Sequence, residues 1–392
     1  MYTVPSAITS NSQCARPPVR TMGDVTAPPI STIDDNSLRL TLATLGEPAW
    51  RAGQLRLAAW QPFVTGFVDI RQLGAPLRER LAETLTFSTV DVAGASEADA
   101  GATVKLLCRL ADGLAVETVA METVARRGIR RRSTVCVSSQ VGCAVGCPFC
   151  ATGHMGLRRS CTAAEIVDQV RAAAAALHHR DLGPVTHVVY MGMGEPLANL
   201  DATLESVRVL TVHGGISARR ITVSTSGVVP AIDRLAAEGP PVTLAISLHA
   251  ATDALRDRLV PLNRAHPIHD LVAAGERYAR RTGRRITFEW CLIAGVNDST
   301  EQARALRDLA ARARAHVNVI PMNRISDSPW GPPDPARARA FLRELHGVRV
   351  TVRDTRGNAA DAACGQLRAL LEARRELRPD GTLGPHRRVT RV

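Results

Sequence analysis

The sequence predicts an α/β protein: a partial (β/α) barrel joined to a small N-terminal helical domain and a β-hairpin. Three observations lead there. From residue 133 onward, short β-branched runs alternate with helical stretches. Just upstream, two alternating apolar runs, TVKLLCRL and LAVETVAM, flank Ala111-Asp112-Gly113, and an Asp-Gly turn between such runs signals a hairpin. Residues 36–100 are assigned to a helical domain on amphipathic stretches around Leu38–Leu45 and Pro76–Thr84.

Taken in chain order, residues 1–35 are rich in Pro, Ser and Thr without periodicity and are expected to form a disordered tail. The hairpin and a basic linker fill 101–132. The barrel occupies 133–356. Its expected strands are STVCVSSQ, THVVYMGM, RRITVSTS, VTLAISLH, RITFEWCLI, HVNVIPMN and VRVTVRDT. Helices are expected near 163–178, 202–212, 229–238, 268–282, 299–315 and 334–346. Thr162 with Glu165, and Ser299 with Glu301, supply N-terminal capping groups for two of them. Such alternation implies a parallel sheet covered by helices. About six units are too few for a closed eight-fold barrel, so a partial barrel is expected, with an open doubly wound sheet as the alternative. Both folds bind ligands at the C-terminal ends of strands. Residues 357–392 hold a cysteine-containing loop, a helix and a basic tail.

The composition agrees with a large buried core: 392 residues, 45% hydrophobic but only 3% aromatic, so Ala, Val, Leu and Ile must build it. No apolar run is long enough to span a bilayer. The opening segment MYTVPSAITSNSQCARPPVR lacks the charged and apolar regions of a signal peptide, so no membrane partner and a cytoplasmic location are expected. The net charge of +12 (49 basic, 37 acidic) suits a polyanionic partner. Arg126, Arg127, Arg130, Arg131 and Arg132 crowd into seven residues, where they repel one another unless an anion is near.

Nine cysteines, an odd number, argue against a disulfide framework and for metal or redox use. Cys14, Cys108, Cys161 and Cys291 stand alone and read as filler. Cys143-Ala-Val-Gly-Cys147-Pro-Phe-Cys150 has C-x3-C-x2-C spacing and follows the first barrel strand. A structural zinc site normally takes four protein ligands. An iron–sulfur cubane held by three cysteines leaves one iron unligated. That iron can chelate the amino and carboxylate groups of S-adenosylmethionine (SAM), whose reductive cleavage yields a 5′-deoxyadenosyl radical. Zinc with Cys136 or His154 as a fourth ligand is the alternative. The ends of later strands offer Gly194 and Glu195, then Ser224, then Ser247, Leu248 and His249, then Asn323. Together these suit one cofactor pocket.

The stretches CVSSQVGCAVGCPFCATG, SCTAAEIVDQV, MGMGEPLANL, RRITVSTSGVVP, LAISLHA, GVNDS, HVNVIPMN and DAACGQL resemble the RlmN/Cfr family of radical SAM RNA methyltransferases, from about residue 38 to residue 367. The resemblance implies a barrel of the radical SAM type, a [4Fe-4S] cluster on Cys143, Cys147 and Cys150, and two SAM molecules per turnover. It implies methylation of an adenosine in 23S rRNA, at the peptidyl-transferase centre, and of tRNA, at C2; C8 methylation of the same rRNA base is the alternative. Cys364 would carry the methyl group, Cys136 would release the product through a disulfide, and Glu117 would be the base, with Glu122 a rival on the same strand. A monomer and an electron donor of the flavodoxin or ferredoxin kind are expected. The chain departs from the family's pattern at Asn358 and Ala359, in the basic linker TVARRGIRRR and at HMGLRR.

Overall fold

A computed structural model describes residues 27–123, 131–323, 329–353 and 366–367. Cys14, Cys364, residues 124–130 and most of the C-terminal tail lie outside the described residues.

The helical domain consists of α1 (Asp35–Thr44), α2 (Arg51–Ala59) and α3 (Ala75–Thr84). Asp34 starts α1 by accepting the free backbone N–H groups of Asn36 and Ser37. Leu38, Leu42, Leu55, Ile70 and Leu81 form its core. The expected tail, residues 1–35, ends earlier than the sequence implied. Ile30 and Ile33 are buried in this core, and buried Arg56 donates to their carbonyls at 2.9 and 2.6 Å. Two isolated isoleucines in a polar stretch give no periodic signal.

The assignment of 36–100 to helices also needs correction, because β1 (Val90–Ala98) lies within it. Its sequence VDVAGASEA alternates poorly, and a register shift between Val92 and Gly94 accommodates this. With β2 (Thr103–Leu110) and β3 (Ala115–Thr123) it forms a three-stranded antiparallel meander, so the expected hairpin is two-thirds of a larger unit. β3 pairs antiparallel with β4 (Arg132–Cys136), which makes the meander continuous with the barrel sheet.

After β4 the chain forms a small ribbon, β5 (Gln140–Gly142) with β6 (Leu157–Ser160). Then come α4 (Ala163–His178), β7 (His187–Tyr190), α5 (Leu200–Val212), β8 (Ile221–Thr225), α6 (Val229–Glu238) and β9 (Thr243–Ser247). The series ends with α7 (Asp253–Leu259), α8 (Ile268–Thr282), β10 (Thr287–Leu292), α9 (Thr300–Ala313), β11 (His316–Pro321), α10 (Pro335–Glu344) and β12 (Arg349–Val352). The seven expected barrel strands and six expected helices are all present; α7 and the small ribbon were not anticipated.

The sheet order is β1-β2-β3-β4-β7-β8-β9-β10-β11-β12, with every neighbour from β4 onward parallel. Each new strand adds beside the last. Crossovers of one hand then put all helices on one face. A doubly wound sheet needs a reversal of order, which is absent, so the partial barrel is the fold.

Pairing fixes which side chains share a face. Cys136 pairs with Val189, Val189 with Thr222, Ser247 with Glu289, and Glu289 with Asn318. The alternate residues Val135, Val188, Val223, Leu244, Phe288, Trp290 and Val317 belong to the helix-covered core. Phe341 of α10 meets Trp290 with ring centroids 5.7 Å apart. The convex face is therefore apolar, and the concave face carries Thr, Ser, Glu and Asn.

The helical domain is tied to the barrel through α4. Arg171 donates to the carbonyls of Ala59 (3.1 Å) and Phe87 (2.7 Å) and pairs with buried Asp168. Asp168 in turn accepts from both Thr89 N and Thr89 Oγ1 at 2.8 Å. Among the described residues, no helix is long and apolar enough to cross a membrane. Arg171→Ala removes a buried cation from an acid and two carbonyls. It should lower unfolding free energy by about 3 kcal/mol and admit early proteolysis between residues 85 and 90. Denaturant melts and timed digests check this.

Candidate active site

The cysteine loop hangs from the short β5–β6 ribbon. Cys143 N donates to Gly156 O, Cys150 N to Cys147 O, and Gly153 N to Cys150 O, all near 3.0 Å. Two glycines are obligatory here. A Cβ on Gly142 would lie 1.8 Å from Gly156 O, and one on Gly153 would lie 2.6 Å from Cys147 O. His154 Nε2 meets the Pro148 carbonyl at 3.0 Å and is exposed, which takes it away from the thiols. Among the described residues, no three His, Cys, Asp or Glu side chains converge tightly enough to grip one metal ion. Burial raises the thiols of Cys143, to about 11, and of Cys147.

The three thiols line one wall of a cavity enclosing about 1010 Å³ of atom-free space, including its open mouth. Gly194, Glu195, Ser224, Ser247, His249 and Asn323 line the rest, so six of the seven expected cofactor residues share this cavity with the cysteines. Leu248 is fully buried and offers only backbone: its N–H donates to Glu289 O and its carbonyl accepts from Arg256. Lining contributed from β7 across to β11 requires the sheet to curl.

Each strand end is held by a specific bond. Gly194 has φ 97°, and a Cβ there would stand 2.5 Å from Gln140 Cβ, so only glycine lets the two segments touch. The contact lets Gln140 Oε1 accept from Glu195 N at 2.9 Å. The Glu195 carboxylate is buried, accepting from Leu197 N (3.0 Å) and Ser226 N (2.6 Å). Burial raises its pKa, and those hydrogen bonds oppose the shift. His249 is in the left-handed region at φ 58°. Its Nδ1 accepts from Cys291 N at 2.9 Å, and its ring meets Phe149 edge-on with centroids 4.9 Å apart. Burial and then nearby Arg256 hold its pKa down at about 3, so the ring is neutral with its proton on Nε2.

Sequence reading overlooked three residues that build this wall. Arg256, fully buried on α7, donates to the carbonyls of Leu248 (3.0 Å), Ser226 (2.6 Å) and Ser247 (3.1 Å), and to Asn263 Oδ1 (3.0 Å). Burial lowers its pKa to about 10, which still leaves it charged at neutral pH. Asn297, in the GVNDS stretch, donates to His249 O (2.8 Å) and Cys291 O (2.7 Å). Glu289 faces the cavity and accepts from Asn318 at 2.7 Å. Only the Asn297 motif carried any signal in sequence.

Glu117 and Cys136 lie outside the cavity lining but on the concave face, because Cys136 pairs with Val119, two residues along β3 from Glu117. Lys105 Nζ pairs with Glu117 Oε1 at 3.0 Å, both largely buried. Ser138 Oγ donates to Glu117 O at 2.5 Å and accepts from Met193 N at 2.9 Å. Gln169 satisfies both backbone groups of Ser138. Glu122 sits at the other end of β3, accepting from Arg131 and from Gly183 N. The two glutamates are thus separated by position: Glu117 lies toward the cysteine mouth and Glu122 at the opposite end. Cys364 lies outside the described residues. Leu367 is buried, and its carbonyl accepts from Thr152 Oγ1 of the cysteine loop at 2.6 Å.

Residues 137–306 match the model of the Radical SAM superfamily. A protein of Moorella thermoacetica named "Probable dual-specificity RNA methyltransferase RlmN" is 47% identical over 329 residues, covering 83% of this chain and 92% of the relative. One of the same name from Thermobifida fusca is 43% identical, covering 93% and 99%. The chain belongs to the RlmN family of radical SAM RNA methyltransferases. A crystal structure of a radical SAM methyltransferase from Sphaerobacter thermophilus is 45% identical and superposes with a TM-score of 0.82, over 88% of this chain and 100% of that one.

Membership implies a [4Fe-4S] cluster and SAM, and the cavity fits them. It offers three thiols spread along one wall, a buried carboxylate, neutral hydroxyls, and room for more than a single ion. Arg256→Met should cost about 3–5 kcal/mol, because it strands three carbonyls. It should also abolish SAM retention in equilibrium dialysis. Arg256→Lys should rescue poorly, since an ammonium cannot reproduce the planar fork.

Proposed function

We propose that this chain forms 2-methyladenosine in 23S rRNA, at the peptidyl-transferase centre, and in tRNA, through a methylated Cys364. The observation that carries the reading is the Thr152–Leu367 hydrogen bond, which ties the chain three residues beyond Cys364 to the cysteine loop. Three residues span at most about 11 Å.

Cys143, Cys147 and Cys150 would hold the cluster, and Glu195, Ser224, Ser247, His249, Asn323 and the Gly194 backbone would hold SAM, with Leu248 buried behind them and its backbone taken by Glu289 and Arg256. Bound there, the pair supplies a methyl group and a primary carbon radical. The remaining work falls to the protein. Adenine C2 is electron-poor and resists polar methylation, so carbon must be delivered from a sulfur already attached to the enzyme. Cys364 is the carrier. Glu117, with Lys105 beside it, would take the ring proton from the adduct, and the odd electron left on the base would pass to the cluster. The Cys136 thiol then attacks the Cys364 sulfur and releases the methylated base; the resulting disulfide is reduced by an external thiol. An external low-potential donor of the flavodoxin or ferredoxin kind supplies electrons to the cluster.

Support for Glu117 over Glu122 comes from geometry: Glu117 shares the concave face and the mouth end with Cys136, whereas Glu122 is bound to Arg131 at the far end. Nucleoside mass spectrometry of rRNA and tRNA from cells with and without the gene tests the product; 8-methyladenosine in place of the 2-methyl isomer would overturn C2 chemistry. Cys136→Ala should leave RNA covalently attached, seen as nucleotide on RNase-treated protein; clean protein would remove the releasing role. Glu117→Gln should slow adduct breakdown by roughly 10²-fold or more, followed by quench-flow and gel analysis, while Glu122→Gln should change it little.

A further inference from the structure

The start of nearly every barrel strand carries a basic residue. Arg132 opens β4 and His187 opens β7. Arg219 and Arg220 precede β8, Arg284 and Arg285 come just before β10, His316 opens β11, and Arg349 opens β12. Because these strands are parallel and in sequential order, their starts gather on one rim, at the end of the barrel opposite the cysteine mouth.

The groups are neighbours across strands. His316 pairs with Arg349 in the β11–β12 register, and Thr134, two residues past Arg132, pairs with His187. Arg284 donates to the Arg219 carbonyl and to Thr243 Oγ1, linking the two arcs. Burial and the nearby cations Arg132 and Arg220 hold His187 down at about 4, and burial, then Arg285 and Arg349, lowers His316.

An Arg-rich composition alone does not account for this rim. Many arginines on helix surfaces are neutralised, as in Arg234 with Asp201 and Glu238, Arg277 with Asp233, and Arg304 with Glu344. Among the described residues, no carboxylate lies within ion-pair distance of Arg132, Arg219, Arg220, Arg285 or Arg349, and all five are exposed. The basic linker re-enters the structure at this same rim, where Arg131 is held by Glu122 and by the Asp181 carbonyl. Residues 354–392 are unsuited as the occupant, since they carry eight arginines against five acids.

We propose that this rim is a second RNA-docking surface, which grips the sugar–phosphate backbone of the substrate away from the base being methylated. Its width, from β4 to β12, suits an extended polyanion rather than a single phosphate. Phosphate contacts position a nucleic acid without reading its sequence, so the rim gives affinity and not base choice. The inference rests on RNA being the substrate and is independent of which adenine carbon is methylated.

The test uses the full-length holoenzyme with the triple variant Arg220→Gln, Arg285→Gln, Arg349→Gln, and with Arg304→Gln as a helix-surface control. The RNA is the transcript that wild-type enzyme methylates. Each lost phosphate contact should lower the slope of log Kd against log salt by about 1, so the triple variant should lose about 2–3. KM for RNA should rise about tenfold or more, with kcat at saturating RNA and RNA-independent SAM cleavage unchanged and the control like wild type. Unaltered RNA affinity and salt slope in a folded, SAM-cleaving triple variant would overturn the proposal. So would loss of binding to phosphatidylserine vesicles with RNA binding intact. Failure of wild type to methylate RNA at all would instead strike the functional reading on which the inference rests.

Discussion

Backbone groups at the ends of buried parallel strands must find hydrogen-bond partners, and the whole site depends on how this chain provides them. Where a strand leaves the sheet, its last carbonyls and the first amides of the loop face a cavity without ladder partners. Here polar side chains reach in from other elements. Gln169 on α4 takes both backbone groups of Ser138, and the Ser138 hydroxyl joins Glu117 O to Met193 N. Arg256 collects three carbonyls from the ends of β8 and β9, and Asn297 collects two from β9 and β10. A buried unpaired group costs on the order of 1–3 kcal/mol, so these side chains are what allow the loops to hold their irregular shapes.

That arrangement explains the division of labour across the sheet. The convex face can be wholly apolar because helices cover it, and Val135, Val188, Val223 and Leu244 give it stability. Among the described residues no helix covers the concave face, which carries Thr, Ser, Glu and Asn. Such residues suit a polar cofactor and substrate. Cys147 and Cys150 sit where the polar and apolar regions meet, against the cluster of Phe149, Ile293 and Met322. Burial disfavours the Cys143 and Cys147 thiolates in the absence of a metal cluster, so cluster binding and thiol deprotonation are coupled.

Charge is distributed along the barrel axis. At the mouth, ionisable groups are few and internally satisfied: Glu195 by two backbone amides, His249 neutral, Glu117 with Lys105. Exposed arginines gather at the other end. Such separation keeps the exposed arginines away from the cysteines, with buried Arg256 a cation near Cys147, while leaving charge available for a polyanion. The joint between helical domain and barrel follows the same economy, with Arg171 and Asp168 satisfying backbone groups from both sides.

The sequence alone determined the barrel strands, their parallel pairing and the cysteine triad, whereas their sequential order in the sheet came from the structure. Each is a local signal, in which β-branched runs, helical periodicity or a C-x3-C-x2-C spacing is read within a few residues. It also determined that Gly194, Glu195, Ser224, Ser247 and His249 fall at strand ends, because strand ends are visible in the pattern. It missed β1, whose weak alternation is rescued by pairing with β2, and it missed Ile30 and Ile33, which matter only once a core exists to receive them. Only the tertiary structure decided that Arg256 is a buried strut, that Glu117 and Glu122 lie at opposite ends of one strand, and that scattered arginines form a rim. Those facts depend on contacts between residues far apart in the chain, and no local pattern of residue types encodes which distant groups the folding of the sheet will bring together.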